Sequence, residues 1–168
     1  MNEIVKFDAS NFFAKCNQIE IQSICELTSR EKAIRAAGII DCDGCISVNK
    51  SKTGQQLLLQ YTVICGVQQV TKEIPIWLCE NFGGTVSVYQ PKSENRRMMY
   101  NWKVSSKQAE KFLSQIEPFL LIKQKQTRLA LELRKFQGRN MRRFCQQDKE
   151  KVWERIYHQI KVLNGSIK

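Results

Sequence analysis

The sequence predicts an α+β fold: one four-stranded antiparallel sheet with helices on a single face. Three observations lead there. Four segments alternate apolar and polar residues with a period of two, and they fall into two pairs. A helix with a capping-box start precedes the first pair, and a second capping-box pattern follows the last. No apolar run approaches the roughly 20 residues of a membrane span, so no membrane partner is expected. At 168 residues the chain is read as a single domain, with 1–27 an N-terminal extension, 28–137 the core and 138–168 a C-terminal helical segment.

Taken in order, residues 1–27 lean acidic, with a short helix expected around 19–27. Thr28 and Glu31 then have the T-x-x-E spacing that satisfies the orphan N–H groups of a helix start. That helix sets Ala33, Ile34, Ala37 and Ile40 along one face. Small residues at Ala33, Ala36, Ala37 and Gly38 let another backbone approach, and Gly44 breaks the helix. In the first strand Ile46 and Val48 alternate with Cys45, Ser47, Asn49 and Ser51, and a turn is expected at 52–54. In the second, Tyr61, Val63, Cys65 and Val67 alternate with Gln60, Thr62, Ile64 and Gly66. A short helix around 72–82 follows, with Pro75 tolerable only near its first turn, and Gly83-Gly84 ends it. Val86 and Val88 alternate with Thr85, Ser87 and Tyr89 in the third strand. After a turn at 91–95, the fourth strand sets Met98, Tyr100, Trp102 and Val104 against Arg97, Met99, Asn101 and Lys103. Ser105 and Gln108 open a helix that Pro118 closes. A further helix runs to about 137, a basic linker covers 138–143, and a last helix spans about 148–163.

This alternation gives an apolar sheet face under helices and a polar face outside. Ser, Thr, Asn, Gln and Arg on the polar face have donors and acceptors that suit base edges in a major groove, although an ordinary solvated face has the same composition. The net charge of +11 is unevenly spread. Residues 1–27 hold 2 basic and 4 acidic side chains, 28–110 hold 11 and 7, and 111–168 hold 14 and 5. Such an excess favours a polyanionic partner through counterion release, against the plainer reading of a solvated basic surface. Seven cysteines form no regular framework, and the single C-x-x-C (Cys42, Cys45) has no second pair and no nearby histidine. A structural zinc site is excluded, and buried reduced thiols are expected.

The densest signal is Ala36-Ala37-Gly38-Ile39-Ile40-Asp41-Cys42-Asp43-Gly44, an apolar, small-residue helix end that runs into two carboxylates and a glycine. A calcium loop would need an acid or amide, then glycine, where Cys45 and Ile46 stand. A helix-terminal turn with capping acids remains open. The segment resembles the signature motif of the LAGLIDADG homing endonucleases. Pro118-Phe119-Leu120-Leu121-Ile122-Lys123-Gln124-Lys125-Gln126 is similar to a segment of single-motif members, those of organellar rRNA introns especially. Val67-Gln68-Gln69 resembles the segment carrying the family's water-positioning glutamine. The resemblance spans roughly residues 28–137, and the order α-β-β-α-β-β-α matches the family core.

The resemblance implies a homodimer, since one motif supplies half of a two-fold site. Its site residues would be Asp43 as magnesium ligand with the Cys42 carbonyl, Gln69 positioning water, and Lys123 as the basic catalytic residue. Lys72 would be a second basic group, with Glu73 competing for its place. Ala33, Ala36, Ala37, Gly38, Ile40 and Asp41 would line the dimer interface, Asp41 also tying down the turn. Ser47, Asn49, Ser51, Gln60, Thr62, Ser87, Tyr89, Arg97, Asn101 and Lys103 would read double-stranded DNA, and Lys52 and Arg96 would reach it from hairpin turns. The implied activity is magnesium-dependent cleavage of both strands of a long pseudo-palindromic site, promoting intron homing from a chloroplast or mitochondrial gene. The alternatives are an RNA maturase acting on intron RNA, which would not need to keep Asp43, Gln69 and Lys123 together, and a non-cleaving DNA-binding protein.

Overall fold

The computed structural model describes residues 27–53, 58–90, 97–138 and 146–166. The helix expected around 19–27, both hairpin turns beyond Thr53 and Gln90, and most of the basic linker lie outside that set. Among the described residues the order is α1 (Ser29–Asp43), β1 (Gly44–Thr53), β2 (Leu58–Gln69), α2 (Glu73–Phe82), β3 (Thr85–Tyr89) and β4 (Met99–Ser105). There follow α3 (Ser106–Ile116), a 3-10 turn (Glu117–Phe119), α4 (Gln124–Gly138) and α5 (Gln146–Leu163).

The strands form one sheet in the order β1-β2-β4-β3, with every pairing antiparallel. Alternation decides what it buries: Ile46, Val48, Tyr61, Val63, Cys65, Val67, Trp102 and Val104 lie on one face and are buried. The helices cover that face, and among the described residues no element packs on the opposite one. Two expected core positions are not covered: Val88 is 58% and Met98 41% exposed. β3 is an edge strand paired only with β4, so its far end has little to pack against.

Thr28 caps α1 with both arms of the box: Glu31 N–H donates to Thr28 Oγ1 at 3.3 Å, and Thr28 N–H donates to Glu31 Oε2 at 2.8 Å. The second box does not form. Ser105 stands at the N-cap of α3 with no side-chain bond, because the chain enters the helix through Ser106 at φ 51°, left-handed for a residue with a Cβ. Helix α1 buries Ala33, Ala36, Ala37 and Ile40, while Ile34, expected on that face, is 46% exposed. At the 3.6-residue period Ile34 instead falls in line with Gly38 on the outer side.

Pro75 is the third residue of α2, where its missing N–H costs no helical bond. Gly83 and Gly84 end that helix with φ of 74° and 98°. A Cβ on Gly84 would sit 2.6 Å from Lys103 O, so the turn from α2 into β3 admits only glycine there. The Gly83 carbonyl accepts from Trp102 Nε1 at 2.8 Å, and Trp102 packs edge-on against Phe112 of α3 at 5.0 Å between centroids. Helix α5 closes the far end of the covered face with buried Ile156 and Ile160. Glu154 accepts from Lys50 Nζ at 2.7 Å and from the Tyr61 hydroxyl, and Asn164 Nδ2 donates to Ile46 O at 2.8 Å.

The cysteines correct one expectation. Cys65 is buried, and burial pushes its thiol pKa up, but Cys42 and Cys45 are exposed free thiols. They flank the helix–strand junction, which lies at the surface.

Candidate functional site

The helix-to-strand corner at Asp43-Gly44 gathers side chains from three parts of the chain. Gly44 is extended, at φ −79°, and its N–H donates to Ile40 O. A Cβ there would lie 2.7 Å from Ile40 Cα and 2.8 Å from Ile40 O, so only glycine lets the chain turn straight from α1 into β1. Asp43 is thereby the last helical residue and stays exposed.

Asp41, two residues earlier, points into the segment before α4. Its carboxylate accepts the backbone N–H groups of Leu121 at 2.7 Å, Ile122 at 3.2 Å and Lys123 at 2.9 Å. Three successive amides converging on one anion form a nest, so the acid fixes the segment's shape. Lys123 then folds back: its Nζ donates to Ile40 O at 2.8 Å and Asp41 O at 2.6 Å. The last turn of α1 has no basic residue of its own, and Lys123 supplies the cation that its carbonyl end attracts. The two contacts interlock, anion of α1 on amides before α4 and cation before α4 on carbonyls of α1.

The third part is the end of β2. Register pairs Gly44 with Val67, which puts Gln69 beside the corner, and Gln69 Nε2 donates to Asp43 Oδ2 at 2.7 Å. Gln69 thus meets Asp43 directly, and Lys123 is held at the same helix end through Ile40 O and Asp41 O. Lys72 is not brought into contact with them. It stands at the N-cap of α2 with its carbonyl accepting from Ile76 N–H, and its exposed side chain makes no bond with the described residues. Its neighbour Glu73 is exposed as well.

The interface residues separate into two groups. Ala33, Ala36, Ala37 and Ile40 are already buried within the chain's own core, with at most 5% exposure, and keep no surface for a partner. Gly38 is exposed with open space where a Cβ would stand, and Asp41 is half-buried. The surface available on this side is made instead by Ile34, Gly38 and Cys42 along α1, with Leu121 (89% exposed) and Ile122 (72%) beside the helix end. Sequence reasoning missed Ile34, Leu121 and Ile122 because their apolar character reads as core. The available signal was helix phase: Ile34, Gly38 and Cys42 recur every four residues, in a row about 100° around the helix from Ala33 and Ala37.

The free face of the sheet places the expected polar readers in cross-strand rows. Ser51 pairs with Gln60 and Asn49 with Thr62, Ser47 lies across Ile64 from Ser105, and Asn101 lies between Gln68 and Ser87. Lys103 lies between Gly66 and Thr85, and Tyr89 pairs with Met99 at the outer edge. Arg97 precedes β4 and is exposed, while Arg96 lies outside the described residues. Lys52 is not on a turn: it is in β1 opposite Leu59, in register with Ile46 and Val48 of the helix-covered side, and so belongs to the other face at the sheet's end. Gln68, Thr85 and Ser105 join the face although the sequence reading did not select them as readers.

A magnesium ion takes hard oxygen ligands in octahedral geometry and keeps several waters. Asp43 offers an exposed carboxylate with one oxygen engaged by Gln69. Among the described residues no three His, Cys, Asp or Glu side chains lie together. One exposed carboxylate of this kind fits a divalent ion that keeps most of its waters.

A sequence profile of the LAGLIDADG endonuclease family matches residues 36–136. Solved structures share the fold. The homing endonuclease I-CvuI, in complex with its target in the presence of calcium, is 21% identical with a TM-score of 0.62, over 80% of this chain and 83% of that one. An archaeal intron-encoded homing endonuclease, I-Vdi141I, complexed with DNA, is 15% identical with a TM-score of 0.64, over 79% and 83%. I-SmaMI, bound to cleaved DNA, is 20% identical with a TM-score of 0.54, and there 85% of this chain matches only 44% of that chain. No curated protein sequence matches significantly. The profile spans more than half of the sequence and includes the whole interlocked corner, and on that ground the chain belongs to the LAGLIDADG endonuclease family.

Proposed function

We propose that this endonuclease acts as a homodimer on double-stranded DNA, cutting both strands of a long, pseudo-palindromic site with a divalent metal such as magnesium, in the service of intron homing. The observation that carries the reading is the corner itself: an exposed Asp43 held by Gln69, on a helix end clamped by Lys123 and Asp41, at the margin of an exposed polar sheet face. The DNA complexes of I-CvuI and I-Vdi141I support the substrate class. The exposed strip of Ile34, Gly38, Cys42, Leu121 and Ile122 supports a second copy seated on α1, since grouped apolar surface of this kind marks an interaction site.

In this reading Asp43 and the Cys42 carbonyl hold the metal, and a bound divalent ion supplies an activated water and stabilises the leaving oxygen. Gln69 fixes the Asp43 carboxylate through one oxygen, and the other has no hydrogen bond among the described residues. Lys123 holds its positive charge at the same helix end, which favours an approaching phosphate. The polar rows from Ser51 to Lys103 line a groove-reading surface, where amides and hydroxyls contact base edges. The intron origin, in a chloroplast or mitochondrion, follows the likeness of the segment from Pro118 to Gln126.

A second reading, binding of intron RNA, draws on the basic side chains Lys125, Arg128 and Arg155 that flank an otherwise apolar groove between α4 and α5. One experiment separates the two. The purified protein is incubated with a randomised duplex library in magnesium and in calcium, and the ends are sequenced. Magnesium-dependent double-strand cuts at one long site, lost in Asp43→Asn, establish the nuclease. Tight binding of intron RNA with no cut in either metal overturns it.

A further inference from the structure

We propose that Ile64 is a thymine-selecting residue, its side chain packing against the C5-methyl group of a base in the major groove. The inference rests on the reading of the chain as a DNA endonuclease and goes beyond it by assigning one residue to one chemical group of the target.

Ile64 lies on β2, an inner strand, on the free face of the sheet. Its partners are Ser47 on β1 and Ser105 on β4, and its same-face neighbours along the strand are Thr62 and Gly66. Gly66 cannot be larger, because a Cβ there would stand 2.9 Å from Trp102 O. All four surrounding positions are therefore small, and the half-buried isoleucine rises above them as an aliphatic knob near the middle of a polar surface. Strand propensity does not account for it. Thr62 and Thr85 meet the same β-branched preference on this face with a hydroxyl included. Burial does not account for it either, since the core is on the other side of the sheet.

Donors and acceptors read most of the major-groove pattern, but thymine alone adds a methyl group, and that group is read by apolar contact. Ile64 is five residues before Gln69, about 17 Å along the strand at roughly 3.4 Å per residue. Duplex DNA also advances about 3.4 Å per base, so a strand lying along the groove carries Ile64 about five base steps from the Asp43–Gln69 corner. A two-fold dimer repeats the contact once in each half-site.

The test uses the full chain and the duplex recovered from the cleavage library. Each thymine is replaced singly by deoxyuridine, which removes only the methyl group, and Kd is measured by fluorescence anisotropy in calcium. We expect one position in each half-site to lose about threefold to tenfold in affinity, the worth of one buried methyl. Ile64→Ser should bind thymine and uracil duplexes equally, and Ile64→Val should keep the preference. Thermal melting checks that each variant folds, and the wild-type uracil scan stands should Ile64→Ser fail to. A duplex that is bound and cut with no uracil-sensitive position overturns the assignment and leaves the nuclease standing. So does a penalty that persists in Ile64→Ser. Failure to bind or cut any duplex overturns both.

Discussion

The two ends of the covered sheet face are each held by a polar network, and the networks differ in what they leave unfinished. At the far end Glu154 of α5 is occupied by Lys50 and Tyr61, with His158 Nε2 at 3.2 Å. At the corner Asp41 is equally occupied by three amides, but Asp43, two residues on, is engaged through one oxygen and faces water. A satisfied network anchors; an anchored carboxylate with spare acceptor capacity is available for chemistry. Under the proposed function the corner holds a structural acid and a functional acid on one helical turn, and their substitutions should fail in different ways.

The largest effect is expected at Asp43. Asp43→Asn keeps the shape and can still meet Gln69, but removes the negative charge that would hold a divalent cation. Cleavage should fall by about a thousandfold or more, several kcal/mol of lost transition-state stabilisation, while DNA affinity in calcium changes little. Comparing single-turnover rates with anisotropy titrations checks this, and cleavage at the wild-type rate would remove Asp43 from the mechanism.

Asp41→Ala should fail by unfolding. It strands three amides and releases the segment before α4, at an expected cost of about 2–4 kcal/mol in urea titrations. Lys123 loses its fixed position as a consequence, so residual activity should drop even where the variant is folded. A stability within about 0.5 kcal/mol of wild type would show that water replaces the nest at no cost. Gly44→Ala comes next, at about 1–3 kcal/mol, because its methyl would overlap Ile40 backbone atoms and push the helix end out of line.

The contrast between the two acids was partly legible in the sequence. The motif separated Asp41 from Asp43, and alternation assigned the covered and free faces of all four strands. What sequence could not supply were facts of three-dimensional packing. Ala33, Ala36 and Ala37 read as a stripe for a partner because small residues suit any close contact, and only the sheet beneath them shows that the partner is internal. Lys52 read as a turn residue because β1 continues one residue beyond it to Thr53, a length set by pairing with β2. The Ser105 box failed on a single left-handed residue, which composition does not encode. The interlock of Asp41 and Lys123 joins residues about 80 positions apart; the family resemblance grouped Lys123 with Asp43 and Gln69, and nothing in the sequence pointed to its partnership with Asp41.

The smallest effect is expected at the far network, and it sharpens the comparison because it is readable by pH. Partial burial pushes the Glu154 carboxyl up, but hydrogen bonds from Lys50 and Tyr61 and the Lys50 charge outweigh it, so the folded pKa lies below the ordinary 4.5. A group whose pKa is depressed on folding contributes its full stability above the unfolded value and loses it as pH falls through the folded value. Stability should therefore decline from about pH 4.5 downward, with Glu154 contributing to the slope. Glu154→Gln should cost about 1 kcal/mol at pH 7 and flatten that decline, the two curves converging in acid. Melting curves from pH 3 to 7 decide it. Parallel curves, offset equally at every pH, would show that the loss comes from the shape and neutral contacts of Glu154 and not from its charge.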